Sequence, residues 1–165
     1  MNAESAHSGT EFNPARTKVV LHPQTTSLME SHAASSYPEE CCGLLLGSYE
    51  DNSRIKRVNE AKRMSNIFQK EERYHRYTID PKEYLKVENE AESMGFEVVG
   101  IYHSHPEAPA KPSQFDMVYA WPTLSYVVIS VKNKVPAEAK SWILKNDRSE
   151  FIQEELMVTE ETKIG

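Results

Sequence analysis

Residues 96–104 read FEVVGIYHS, and His105-Pro106 follow directly. A short apolar run of this kind is typical of a strand buried on both faces of a sheet. Two similar runs stand at 41–47 (CCGLLLG) and 124–131 (LSYVVISV). Together these three runs predict the buried centre of a β-sheet.

The segments around these runs predict a single α/β domain with helices on both faces of the sheet. Helix signals extend over 23–36, 80–94 and 113–120. Further strands are predicted at 17–21, 54–61 and 74–79, and two edge strands at 138–144 and 150–157. We expect a mobile loop at 64–75, a disordered tail at 1–16 and one domain over 17–165.

Composition excludes several classes of protein. The chain has 165 residues and a formal net charge of -6, with 27% charged residues. It has no uninterrupted apolar window of about 18–20 residues, so no membrane span is expected. The acidic balance argues against nucleic-acid binding.

The only two cysteines, Cys41 and Cys42, are adjacent. Adjacent cysteines on a strand point to opposite faces, so a disulfide between them would be strained. This pattern, and an N-terminus without a signal-peptide pattern, predict a cytoplasmic protein. A nucleophilic role for either cysteine would need exposure and a base, and the apolar run predicts burial instead.

The candidate metal ligands are His103, His105 and Asp116. Two histidines at positions i and i+2 of a strand project from the same face. Asp116 lies on the following predicted helix and can bring a carboxylate to the same point. Two imidazoles and one carboxylate, with a fourth position open to water, form the ligand set of a catalytic zinc.

The alternative is that His103 and His105 are structural, as an isolated H-x-H often is. Other patterns offer no competing chemistry. The H-E-x-x-H helix of zincins, the P-C-x-x-C of deaminases, the G-x-S-x-G elbow and a Gly-rich phosphate loop are all missing from the sequence.

These residues resemble the JAMM/MPN+ family of zinc metallopeptidases. The family pattern is a glutamate before a buried strand, then H-x-H-P with seven residues between the second histidine and a serine, which begins S-x-x-D. Here it reads Glu40, His103-Ser104-His105-Pro106 and Ser113-Gln114-Phe115-Asp116. The resemblance covers about 17–157 and implies a curved mixed β-sheet flanked by helices, similar to the cytidine-deaminase fold.

The resemblance also implies roles for these residues. His103, His105 and Asp116 would hold Zn²⁺, which lowers the pKa of a bound water to about 7. Glu40 would take the proton of this water and pass it to the leaving amine. Ser113 would donate a hydrogen bond to the oxyanion. Glu39 is the competing candidate for the base, but the distance from Glu40 to Gly43 fits the family spacing better.

The resemblance to the minimal prokaryotic type implies a substrate. It would be a ubiquitin-like or sulfur-carrier protein, cleaved after the glycine of its C-terminal Gly-Gly tail, with residues 62–76 engaging that tail. Two alternatives are a non-catalytic MPN scaffold and a zinc amidohydrolase acting on a small molecule or a cell-wall peptide. Whether the scissile bond is isopeptide, peptide or to free cysteine stays open, as does the oligomeric state.

Overall fold

Strand and helix positions follow the local sequence signals closely. The computed structural model describes residues 17–160, and within that range it contains seven strands, three α-helices and a short 3₁₀ helix at Lys70–Glu72. The strands are β1 (Lys18–Leu21), β2 (Cys42–Glu50), β3 (Ile55–Met64), β4 (Glu97–Pro106), β5 (Ser125–Lys132), β6 (Val135–Leu144) and β7 (Phe151–Val158). The helices are α1 (Pro23–Ser36), α2 (Pro81–Ser93) and α3 (Gln114–Tyr119). The tail predicted at 1–16 lies outside the described residues.

The helix ends show why these segments are helical. Pro23 and Pro81 each occupy the start of a helix, where a missing N–H is tolerated. The Asp80 side chain caps α2 by accepting a hydrogen bond from the backbone of Lys82 at 2.9 Å. Gly95 follows α2 with φ of 79°, a left-handed conformation that glycine adopts without strain. All three predicted helices are therefore confirmed.

The sheet is mixed, as predicted, but it closes into a barrel. The strand order is β1-β3-β2-β4-β5-β6-β7, and β1 also pairs with β7 in parallel. The two strands predicted at 138–144 and 150–157 are present as β6 and β7, but neither lies at an edge of the sheet, so that part of the prediction is wrong. The strand predicted at 74–79 is wrong too, because Thr78 bonds through its carbonyl to Ile67 and through its N–H to the Asn66 side chain instead of joining a ladder.

Alternating side chains divide the apolar core between the two faces of the sheet. On β2, Leu45 packs with Met29 and Ala33 of α1, whereas Leu44 and Leu46 face the opposite side. Helix α2 packs on that second side through Val87 and Ala91, and the end of α3 adjoins it.

The register of the central strands creates the site. Strand β4 lies between β2 and β5, and Cys42 pairs with His103. This pairing places the start of β2, which follows Glu40, next to the last residues of β4. Among residues 17–160, no helix has the length and apolar character needed to cross a bilayer.

Candidate metal centre

The three predicted ligands converge on one point at the end of β4. The Nε2 atoms of His103 and His105 are 3.1 Å apart, and each lies 3.2 Å from Oδ2 of Asp116. All three side chains are buried. The structure thus brings both imidazoles and the Asp116 carboxylate together at one point.

Asp116 is held in place by the start of α3. The Ser113 Oγ accepts a hydrogen bond from the backbone N–H of Asp116 at 3.1 Å, and the Ser113 N–H donates to Oδ2 of Asp116 at 2.8 Å. This reciprocal pair is a capping box, which satisfies two N–H groups at the start of the helix. The cap also orients the carboxylate toward the histidines.

The loop between β4 and α3 determines which nitrogen of His105 carries a proton. His105 Nδ1 lies 3.0 Å from the carbonyl of Pro109, and since a carbonyl only accepts, Nδ1 is the donor. The neutral ring then presents an unprotonated Nε2 to the shared point. Two further hydrogen bonds hold the loop in place. The Ser130 hydroxyl donates to the carbonyl of Ala108 at 2.6 Å, and the Trp142 indole N–H donates to the carbonyl of Ala110 at 3.0 Å.

Glu40 completes the cluster. One ligand atom each from Glu40, His103, His105 and Asp116 lies within 4.8 Å of the others. Glu40 is 3% exposed, and its Oε1 atom has no hydrogen-bond partner within the part of the chain that the structure describes. Glu39 instead points to the surface, where it faces Arg73 at 3.9 Å. Of the two glutamates, the geometry therefore favours Glu40.

Burial and mutual charge shift the protonation of the cluster. The pKa of Glu40 is raised to about 8, mainly by burial; the charge of His105 opposes this rise and the negative charge of Asp116 adds to it. Burial lowers the pKa of His103. For His105, burial acts in the same direction, but the hydrogen bond to Asp116 and the charges of Glu40 and Asp116 outweigh it and raise the pKa.

Asp116 shows the opposite balance. Burial alone would raise the pKa of its carboxyl, but the His103 charge, the hydrogen bonds to both histidines and the Ser113 N–H hold it well below its usual range. The carboxylate therefore stays ionised at neutral pH.

The donor set fits zinc. Zinc–nitrogen and zinc–oxygen bonds of about 2.0–2.2 Å in a tetrahedron imply ligand–ligand separations of roughly 3.3–3.5 Å. The observed separations of 3.1, 3.2 and 3.2 Å lie just below that range. A cation at the shared point would satisfy two imidazole lone pairs and a carboxylate that otherwise crowd one another.

A groove with a volume of about 760 Å³ leads away from Asp116. It runs over the sheet face that α2 also covers, and its walls are mainly aromatic. The aromatic residues in its lining include Phe68, Tyr77, Phe115, Tyr119, Trp121 and Tyr126. Tyr119 and Trp121 stay largely exposed at its rim. The space suits an extended polypeptide with apolar side chains.

Comparison with known proteins agrees with this geometry. A family model described as prokaryotic homologs of the JAB domain matches residues 22–145, which include all four cluster residues and Ser113. This chain belongs to that family. The resemblance to JAMM/MPN proteins inferred from the motif is thereby confirmed.

Similar JAB-domain proteins carry peptidase names. The desampylase of Haloferax volcanii is 36% identical over 106 residues, which cover 64% of this chain and 72% of that protein. The CysO-cysteine peptidase of Mycobacterium tuberculosis is 30% identical over 128 residues, covering 75% of this chain and 81% of that protein. The prediction of a peptidase, and hence of a hydrolase, is confirmed at this level.

The fold is shared with a solved relative as well. The solution structure of a protein from Desulfitobacterium hafniense superimposes with a TM-score of 0.74 at 31% identity, covering 88% of this chain and 95% of that chain. An experimental structure therefore shows the same fold as this chain.

Three residues of this JAB-domain site were not found from the sequence. The ring of Tyr77 stacks on His103 with centroids 4.6 Å apart. The Pro109 carbonyl accepts a hydrogen bond from Nδ1 of His105, and the Asn66 amide donates a hydrogen bond to the backbone carbonyl of Glu40. The proline-rich loop 106–112 was the sequence signal for the Pro109 contact. Nothing in the sequence pattern marks Tyr77 or Asn66.

Proposed function

We propose that this protein is a zinc metallopeptidase that hydrolyses the bond after the C-terminal glycine of a ubiquitin-like or sulfur-carrier protein. The observation that carries the proposal is the convergence of His103, His105 and Asp116 beside Glu40, whose Oε1 atom has no hydrogen-bond partner among residues 17–160. Relatives named desampylase, CysO-cysteine peptidase and TtuB-protein conjugate cleaving protease support the class of substrate.

His103, His105 and Asp116 would hold the metal. Zinc bound by such a set supplies a coordinated water whose pKa is lowered to about 7. Burial favours the neutral form of His103, and the Pro109 contact at Nδ1 leaves Nε2 as the nitrogen that a neutral His105 presents to the metal.

Glu40 would move the proton. Its carboxylate accepts a proton as the water oxygen attacks the carbonyl carbon, and it delivers that proton to the nitrogen when the carbon–nitrogen bond breaks. The products are a carrier carboxylate and a free amine. Burial, which raises the pKa of Glu40 to about 8, gives its carboxylate a higher affinity for this proton than an exposed glutamate has.

Ser113 would stabilise the oxyanion. Its Oγ already accepts a hydrogen bond from Asp116, but the hydroxyl proton is still available to donate. Ser113 is exposed next to the buried Asp116, so a substrate carbonyl can approach it.

The aromatic groove would hold the carrier tail. Phe68 and Tyr77, from the segment between β3 and α2, form part of its wall. The position of Phe68 supports the prediction that residues 62–76 engage substrate, although Tyr77 lies just outside this range and residues 62–64 belong to β3.

The decisive test combines metal analysis with hydrolysis. Wild type is expected to bind one zinc and to release the amine from a carrier conjugate, as followed by mass measurement. His105→Ala should lose zinc and activity. Glu40→Gln should keep zinc and lose hydrolysis.

Two outcomes would contradict the proposal. A wild-type protein that binds no zinc is not a metallopeptidase. A zinc-loaded protein that leaves carrier conjugates intact but cleaves a small amide or a cell-wall peptide is an amidohydrolase of the alternative kind. The conjugates should include carriers joined to free cysteine and to a lysine side chain, since this comparison identifies the scissile bond.

A further inference from the structure

The side-chain amide of Asn66 forms four hydrogen bonds beside the metal centre. Its Nδ2 donates to the carbonyls of Glu40 and Arg76, at 3.1 and 2.9 Å. Its Oδ1 accepts from the N–H groups of Phe68 and Thr78, at 3.0 and 3.2 Å. An asparagine amide offers two N–H donors and two lone pairs, so its capacity is filled.

The backbone of Glu40 depends on the same region of the chain. The N–H of Glu40 donates to the carbonyl of Arg73 at 2.7 Å, and its carbonyl accepts from Asn66. Strand β2 begins only at Cys42, and the preceding Cys41 is joined to Ser104 of β4. Both backbone groups of Glu40 are thus bonded to the segment 65–79 (the wall segment) and not to the sheet.

The two ends of the Asn66 amide serve different parts of the site. The donor end, Nδ2, bonds the backbone carbonyls of Glu40 and Arg76. The acceptor end, Oδ1, bonds the N–H groups of Phe68 and Thr78, two residues that line the groove. One side chain therefore links the wall of the groove to the backbone of the proton carrier.

We propose that Asn66 is a positioning residue that holds Glu40 at the working distance from the metal ligands. The inference rests on the proposed function, since it assigns to Glu40 the proton transfer. A displacement of about 1 Å in a reacting group can lower a rate by roughly 100-fold. A hydrogen bond to the backbone of Glu40 can therefore affect catalysis without contacting substrate.

Two substitutions separate the ends of the amide. Asn66→Asp keeps two acceptor oxygens for Phe68 and Thr78 but has no N–H to donate to Glu40. Asn66→Ala removes both ends. Asn59→Asp is the matched control, because Asn59 is exposed on β3 and its side chain makes no hydrogen bond within residues 17–160.

Kinetics and bound zinc are measured for each protein. We expect Asn66→Asp to lower kcat roughly 10- to 100-fold with little change in KM and with zinc content unchanged. Asn66→Ala should lower kcat and also raise KM, because Phe68 and Thr78 in the groove wall lose their hydrogen bonds to the Asn66 side chain. Asn59→Asp should match wild type.

Hydrogen exchange gives a readout that does not depend on turnover. In Asn66→Asp the Glu40 carbonyl loses its bond to Nδ2, so the neighbouring Glu40 N–H, which donates to Arg73, should open and exchange faster. The amides of Phe68 and Thr78, which donate to Oδ1, should stay protected. In Asn66→Ala all three should exchange faster. A merely structural role for Asn66 would instead lower protection across the whole domain in both variants.

The inference is overturned if Asn66→Asp keeps kcat within twofold of wild type, if it loses zinc, or if exchange at Glu40 is unchanged. Failure of the proposed function looks different, because zinc-loaded wild type would then cleave no carrier conjugate. The exchange at Glu40 would decide the positioning role in that case.

Discussion

Ser113 has two separable roles, and substitution can distinguish them. Its Oγ caps α3 by accepting from the Asp116 N–H at 3.1 Å, and its hydroxyl proton is proposed to stabilise the oxyanion. Ser113→Ala removes both roles. Ser113→Gly removes the hydroxyl but keeps good capping ability, since glycine is a far better N-cap than alanine.

The magnitudes of the two effects differ. Loss of a serine N-cap to alanine lowers the free energy of unfolding by about 1 kcal/mol, and replacement by glycine by only a few tenths. Loss of one oxyanion donor lowers kcat by about 10²–10³. Zinc content should not change, because the Ser113 backbone N–H that donates to Asp116 at 2.8 Å is retained in both variants.

Three measurements test this reasoning. Urea unfolding gives the stability of each variant, metal analysis gives the zinc content, and hydrolysis of a carrier conjugate gives kcat. We expect both variants to lose activity to a similar extent and only Ser113→Ala to lose about 1 kcal/mol of stability. If Ser113→Gly keeps full activity, the hydroxyl acts only as a helix cap and the oxyanion role is refuted.

Further predictions concern stability. Burial lowers the pKa of Lys56 to about 8 from an ordinary 10.5, so the unfolded chain binds more protons between these values. Urea unfolding should therefore show wild type gaining about 3 kcal/mol relative to Lys56→Met as pH rises through that window; a pH-independent difference contradicts this. In Gly43→Ala the added methyl would overlap the buried Tyr102 ring, which should lower the free energy of unfolding by about 1–3 kcal/mol; an unchanged urea midpoint would show that the ring can move aside. Zinc at 100 times its Kd should stabilise wild type by about 2.7 kcal/mol, measured as a rise in Tm that His105→Ala lacks.

Local signals predicted most of the elements, and long-range pairing explains the failures. Apolar runs located β2, β4 and β5, because strands buried on both faces need continuous apolar sequence. Closure of the barrel depends on Lys18 pairing with Glu155 across almost the whole chain, which no local pattern encodes. Residues 74–79 (YHRYTI) include tyrosine, threonine and isoleucine, which favour strands. The Arg76 carbonyl and the Thr78 N–H are nevertheless bonded to the Asn66 side chain and not to another strand.

The candidate site divides in the same way. His103, His105 and Asp116 were predictable because their ligand chemistry needs particular residue types at particular spacings. Tyr77 and Asn66 act through ring stacking and through backbone contacts, which many residue types and positions can supply. Such contacts become visible only when the fold brings distant segments together.

The place of β1 between β3 and β7 has a mechanical consequence. Both neighbours run in the same direction as β1. A force that pulls Thr17 back along the strand axis would load the hydrogen bonds on both sides of β1 together, in shear, instead of opening them one at a time. The chain should therefore resist extraction from its N-terminal side, and an unfolding machine would meet less resistance at a segment held by fewer ladder bonds.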